Sequence, residues 1–207
     1  MSDTPEVILA PGLWMPGAAM ALLYARLSRA GYAPHVFTYR GRSPFEGNVA
    51  RLARFLRQAL AGRPAHFIGH SLGGVLVLDT LNAHPDIGVA SAVLLGAPVR
   101  GSFAGRRLGS AKVGRWMMGG CGELWQEREA VWKRDAPLGV VAGTMRLGLG
   151  RALGRLPGEN DGVVRVDETR VEGMTAQALV PVGHSMLIAS GSVFRRVERF
   201  MRAGRFE

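Results

Sequence analysis

The chain has 207 residues, enough for one domain with a sizeable core, and 47% of them are hydrophobic, which excludes intrinsic disorder. No apolar run is long enough to span a bilayer, the polar start Met1-Ser2-Asp3-Thr4-Pro5-Glu6 is not that of a signal peptide, and Cys121 is alone, so an intramolecular disulfide is excluded and a cytoplasmic protein is expected. The net charge of +10, carried by 24 Arg and 2 Lys, suits attraction to anionic lipid surfaces or acidic substrates, but there is no nucleic-acid-binding motif or aromatic-basic stripe, so no nucleic-acid partner is expected.

In chain order, Val7 to Ala10 reads as a short apolar strand ended by Pro11-Gly12. Gly17 to Ala30 reads as a helix stopped by Gly31, and His35 to Tyr39 as the second strand. Ser43-Pro44-Phe45-Glu46 has the pattern of a capping box with proline at the first helical position. The helix behind it carries Val49, Leu52, Leu56 and Leu60 on one face. Ala65 to Gly69 is the third strand and Val75 to Ala83 the next helix. Ser91 to Leu95, Leu138 to Ala142 and Ala178 to Val182 complete six strands. A last helix, about Val193 to Met201, turns Val193, Phe194, Val197, Phe200 and Met201 inward. Strands apolar throughout that alternate with helices predict an α/β fold: one domain over residues 1–207, with a mostly parallel sheet of about six strands covered on both faces.

Between the third strand and its helix lies Gly69-His70-Ser71-Leu72-Gly73-Gly74. With ten serines and 29 glycines in the chain, roughly 0.2 Gly-x-Ser-x-Gly matches arise by chance, so the pattern draws its weight from its context. A strand before and a helix after make it a nucleophile elbow, a tight turn that exposes a serine hydroxyl and needs small neighbours. A serine is a weak nucleophile without a base and a group that orients the base. In an open parallel sheet those groups belong at the carboxyl ends of the strands. His184, in Val182-Gly183-His184-Ser185 after the sixth strand, fits the base. His35 and His66 lie at strand starts, His70 lies inside the elbow, and His84 lies near a helix end. Asp161, in Asn160-Asp161-Gly162-Val163-Val164, fits the acid and keeps the order Ser, Asp, His. Glu159 and Asp167 compete with it. An oxyanion hole would use the N–H of Leu72 and, from the loop after the first strand, that of Leu13.

Arg100 to Arg134 interrupts the alternation. This segment has no strand signal, eight Lys/Arg against three Glu, and Trp116, Met117, Met118, Trp125 and Trp132. Its length favours a lid over an apolar substrate, while amphipathic helices favour a packed face. Trp14, Met15 and Trp116 are the candidate substrate-binding residues. The arginines are spread along the chain, which favours genome composition over a lipid-binding patch as their origin.

The elbow, the Asn160–Val164 segment and Gly183-His184-Ser185 together resemble the α/β-hydrolase superfamily, specifically its small bacterial lipase- and esterase-like members. The resemblance runs from Val7 to the last helix. It implies a serine hydrolase that cleaves carboxylic esters through an acyl-enzyme, with a small-molecule or lipid-like substrate and no cofactor or metal. It departs from the family at Pro11-Gly12, where His-Gly is usual, and the family's first antiparallel strands have no counterpart. An acyltransferase or thioesterase would use the same triad. A non-catalytic binding protein and a membrane-peripheral protein are the readings from other classes.

Overall fold

The computed structural model describes residues 4–41, 43–112, 114, 116, 119–146 and 156–207. Met117 and Met118 lie outside the described residues. The strands β1 (Glu6–Ala10), β2 (Ala33–Val36), β3 (Ala65–His70), β4 (Val89–Leu95), β5 (Leu138–Gly143) and β6 (Ala176–Val180) form one six-stranded sheet in the order β2-β1-β3-β4-β5-β6. Every adjacent pair is parallel, as the unbroken apolar runs predict.

Two hydrophobic layers explain why the strands do not alternate with polar residues. Ile8, Phe67 and Leu94 face helices α2 (Phe45–Leu60) and α3 (Leu72–Ala83). Val7, Leu9, Ile68, Val93 and Val141 face the other side, against α1 (Ala21–Arg29) and the C-terminal helix Gly191–Ala203. Leu52, Leu56 and Leu60 are buried and Val49 partly so, as the helical spacing predicts. On the C-terminal helix Val193, Val197, Phe200 and Met201 are buried, while Phe194 is partly buried with the Arg26 guanidinium over its ring.

Three local expectations are corrected. The second strand ends at Val36, because beyond it Phe37 and Tyr39 turn their stacked rings into the core above α2. The sixth strand begins and ends two residues earlier than expected, and Val182 donates its N–H back to Val180 O in a turn instead of pairing with β5. No capping box forms at Ser43: Pro44 is extended (φ −50°, ψ 136°), so it is the cap and Phe45 the first helical residue.

The Arg100–Arg134 segment contains α4 (Phe103–Gly109) and a 3-10 stretch, Gly119–Trp125. It is tied to the layer below by its arginines. The Arg128 guanidinium forks onto Asp79 at 2.9 and 2.6 Å, while its Nε donates to Val99 O. Arg134 donates to the carbonyls of Leu81, His84, Pro85 and Ile87. Those are the orphan carbonyls at the end of α3 and just beyond, where a cation is also favoured by the helix dipole. Arg134→Ala should lower stability by about 2 kcal/mol in a urea melt, and Arg134→Lys should recover under half of that, since a point charge cannot fork onto several carbonyls.

Candidate active site

β3 and α3 meet at Ser71, whose backbone takes φ 53° and ψ −126°. Non-glycine residues avoid this left-handed region, and the turn is held from both sides. Ser71 N–H donates to Leu95 O at 2.9 Å, and Gly74 N–H donates to Ser71 O at 2.9 Å. The neighbours must be small. A Cβ on Gly69 would lie 2.5 Å from Gly74 Cα, and one on Gly73 would lie 2.2 Å from Ala10 O and 2.4 Å from Pro11 O. The absent Gly73 side chain therefore brings the start of α3 against the end of β1, so that Leu72 and the Pro11–Met15 loop share one end of the sheet.

That loop closes with Met15 N–H donating to Gly12 O at 3.2 Å, which puts Trp14 at a positive φ of 60°. The unusual Pro11-Gly12 is held by a residue that the sequence reading placed in a strand. Tyr39 Oη donates to Pro11 O at 2.8 Å. Burial and the nearby Cys121 push the Tyr39 pKa far up, so the phenol stays a donor. Gly41 lies under Leu13, where a Cβ would sit 2.3 Å from Leu13 Cδ1, and Cys121 Sγ donates to Gly41 O at 2.8 Å.

Asp161 and His184 come together. His184 Nδ1 is 2.7 Å from Asp161 Oδ2, and His184 N–H donates to Asp161 O at 2.9 Å. Asp161 is buried, with its second carboxylate oxygen accepting from the N–H groups of Val163 (3.0 Å) and Val164 (2.7 Å). Asn160 and Gly162 shape this turn: Asn160 Oδ1 accepts from Gly162 N–H, and Gly162 takes φ 93°. The competing carboxylates are elsewhere. Glu159 is exposed, and Asp167 is exposed and paired with Arg165. Two glycines at strand ends leave room for the pair. At Gly96 (φ 55°) a Cβ would sit 3.0 Å from Asp161 Oδ2 and 3.2 Å from His184 Nδ1; at Gly143 it would sit 2.7 Å from Asp161 Cβ. Neither signalled more than a strand end in the sequence.

Ser71 and His184 line one cavity of about 330 Å³, at the small end of the range for small-molecule sites. Its walls are Leu13, Trp14 and Met15 from the first loop, Ala104, Gly105 and Leu108 from α4, Trp125, and Val163 and Val164 beside Asp161. Leu13, Trp14 and Met15 are thus at the candidate site. Trp116 is not: it is 65% exposed and does not line the cavity, and Trp125 stands where an aromatic wall was expected from it. Trp132 is buried in the core, its indole N–H donating to Ala136 O. Gly105 lets α4 close on Trp125, since a Cβ there would meet the indole at 2.7 Å. The α4 wall is fastened to the Asp161 loop by buried Glu168, which accepts from Phe103 N–H at 2.6 Å and Arg165 N–H at 2.9 Å. Burial raises the Glu168 pKa, while those two donors pull it back toward the charged form. No sequence signal marked this residue.

The chain belongs to the α/β-hydrolase family: the model of the Alpha/beta hydrolase family matches residues 7–184. No curated protein matches it. Among solved structures it is similar to a metagenomic carboxyl esterase (18% identity, TM-score 0.63, 89% of this chain and 65% of the esterase covered). It is also similar to phospholipase PlaB from Legionella pneumophila (16% identity, TM-score 0.66, 92% and 54% covered). A pyrethroid hydrolase from Sphingobium faniae matches over nearly its full length (15% identity, TM-score 0.62, 97% and 98% covered). The chain thus spans less than two thirds of the first two proteins, and at these identities the likeness is one of fold. No helix among the described residues is long and apolar enough to cross a membrane.

Gly96→Val should destabilise the protein by about 3 kcal/mol in a denaturant melt, because a branched side chain there is strained by the positive φ and overpacked against the Asp161–His184 pair. Loss of under 1 kcal/mol would mean that the pair is less tightly enclosed than described.

Proposed function

We propose that the chain is a serine hydrolase acting on carboxylic esters with an apolar acyl group. The observation that carries the reading is the 2.7 Å His184–Asp161 bond in the wall of the cavity that Ser71 also lines. His184 Nδ1–H donates to Asp161, which leaves Nε2 as the basic nitrogen. Nε2 removes the Ser71 proton as the serine oxygen attacks the ester carbonyl carbon. The N–H groups of Leu72 and Leu13 bind the oxyanion of the tetrahedral intermediate. The intermediate collapses, the carbon–oxygen bond to the alcohol breaks, and His184 hands its proton to the leaving oxygen. Water, deprotonated by His184, then cleaves the acyl-serine ester by the same steps and releases the acid. Asp161 keeps the imidazole in one tautomer and stabilises its cation. Its other oxygen accepts from the Val163 and Val164 N–H groups, which hold the carboxylate in place.

The apolar walls support the acyl preference, and the size of the cavity argues for short to medium chains. Aliphatic and aromatic groups from α4, Trp125 and the first loop exclude water and offer a hydrocarbon few polar partners.

A fluorophosphonate probe should label the wild-type chain and leave Ser71→Ala unlabelled; undiminished labelling of that variant would falsify the nucleophile assignment. Asp161→Asn should lower kcat by roughly 10³- to 10⁴-fold with the fold intact by circular dichroism. Across a panel of p-nitrophenyl esters and the matching thioesters, kcat/KM should rise from acetyl to medium-length chains. Leu108→Trp, by filling the α4 side of the cavity, should move that optimum to shorter chains. An unmoved optimum would place the acyl group elsewhere.

A further inference from the structure

The elbow contains a second buried imidazole, which the proposed chemistry leaves without a role. We propose that His70 is a positioning residue that holds the main chain of His184 in place for proton transfer, an inference that rests on the hydrolase reading above.

His70 is 1% exposed, and its ring lies 4.7 Å from that of His184 at 45°. Its Nε2 is 3.1 Å from His184 O. A carbonyl oxygen only accepts, so Nε2 carries the hydrogen and donates it, and Nδ1 holds a bare lone pair. His184 is thereby gripped at three points. Its carbonyl takes the His70 hydrogen, its N–H goes to Asp161 O, and its ring Nδ1 goes to Asp161 Oδ2. The two bonds to Asp161 both come from the loop after β5, whereas the His70 bond comes from the elbow. It is the bond that fixes the base relative to the serine next to His70 in the chain.

The other face of His70 meets the first loop. A Cβ on Gly12 would sit 3.1 Å from His70 Nδ1 and 3.0 Å from Ser71 Cβ, with Met15 Sδ at 3.3 Å, so the ring is wedged between the His184 turn and the Leu13 loop. Nδ1 is buried there without a hydrogen-bond partner among the described residues. Such an atom destabilises a fold, and an apolar ring would fill the space without that penalty. An imidazole in this place therefore serves something other than stability, and its one polar contact among the described residues is with His184. The ring must also be neutral. Burial, reinforced by the His184 charge, pushes its pKa down to about 3. An imidazolium would force a second N–H against Gly12 with no acceptor, and would oppose the cation that His184 becomes during turnover.

The test compares the full-length wild type with His70→Phe, His70→Leu and His70→Gln, by the rate of fluorophosphonate labelling, by kcat and KM on p-nitrophenyl butyrate, and by Tm. The Phe and Leu variants should keep or exceed the wild-type Tm, lose about tenfold or more in kcat and labelling rate, and leave KM unchanged. Gln, whose amide N–H can reach the same carbonyl, should recover most of kcat. Wild-type kcat in Phe and Leu would overturn the proposal. So would equal losses in all three variants that track a fall in Tm, the signature of simple packing. If the wild type itself takes no label at Ser71, it is the hydrolase reading that fails; a labelled wild type matched in rate by the Phe variant defeats the role of His70 alone.

Discussion

At Ser71 the chain leaves the central strand β3 and enters α3 within a single residue, at a φ of 53°. Held by ordinary loop contacts, a non-glycine residue would relax out of this region, whose strain is of order 1–3 kcal/mol. It is kept here because the end of β3 (Phe67 to His70) and the first turns of α3 (Leu72 to Leu78) are buried and because Leu95 O and Gly74 N–H close the turn. The three glycines around it remove the atoms that would prevent closure. The consequences reach beyond the serine. The close approach at Gly73 brings the start of α3 onto the end of β1, and the ring of His70 is carried into the space between the first loop and His184.

The rest of the candidate site follows from strand order. β3 sits near the centre of the sheet, flanked by β1 and β4, with β5 and β6 beyond. Loops from the carboxyl ends of β1, β3, β5 and β6 therefore converge, and each delivers one group: Leu13, Ser71, Asp161 and His184. The glycines that end β4 and β5 matter as much as the residues they admit, because the Asp161–His184 pair occupies the volume that side chains would take. Polar satisfaction is nearly complete around Asp161, a carboxylate buried with three donors, as burial of a charge in an apolar layer requires.

The Arg100–Arg134 segment divides its labour. Trp132 and the arginine anchors belong to the core and to the end of α3, whereas α4 and Trp125 form one wall of the cavity. Both functions need a segment clamped at several points. Glu168 supplies the clamp to the Asp161 loop, which ties the α4 wall of the cavity to that loop. Arg106, Arg128 and Arg134 are engaged by carbonyls and carboxylates of the chain itself, which gives part of the high positive charge a structural explanation.

Much of this was legible in the sequence, for local reasons. Hydrophobic period and turn residues mark six strands and the helices between them, since burial on both faces leaves continuous apolar runs. The Gly-x-Ser-x-Gly pattern marks Ser71, because a tight strand-to-helix turn has few solutions. Asp161 and His184 could be chosen by their place at strand ends. What the sequence could not carry was set by pairs of residues distant along the chain. Asp161 was separated from Glu159 and Asp167 only by which carboxylate the fold buries next to His184. Tyr39 read as a strand residue until its phenol met Pro11, Trp116 read as a cavity aromatic until Trp125 took that place, and Glu168 carried no pattern at all. The sequence by itself determined the architecture and the tight strand-to-helix turn at Ser71, because periodicity and backbone sterics are local. Only the tertiary structure decided which carboxylate meets His184, the support of the first loop, the cavity walls and the contact of His70 with His184, because each is a hydrogen bond or close approach between residues far apart in the chain.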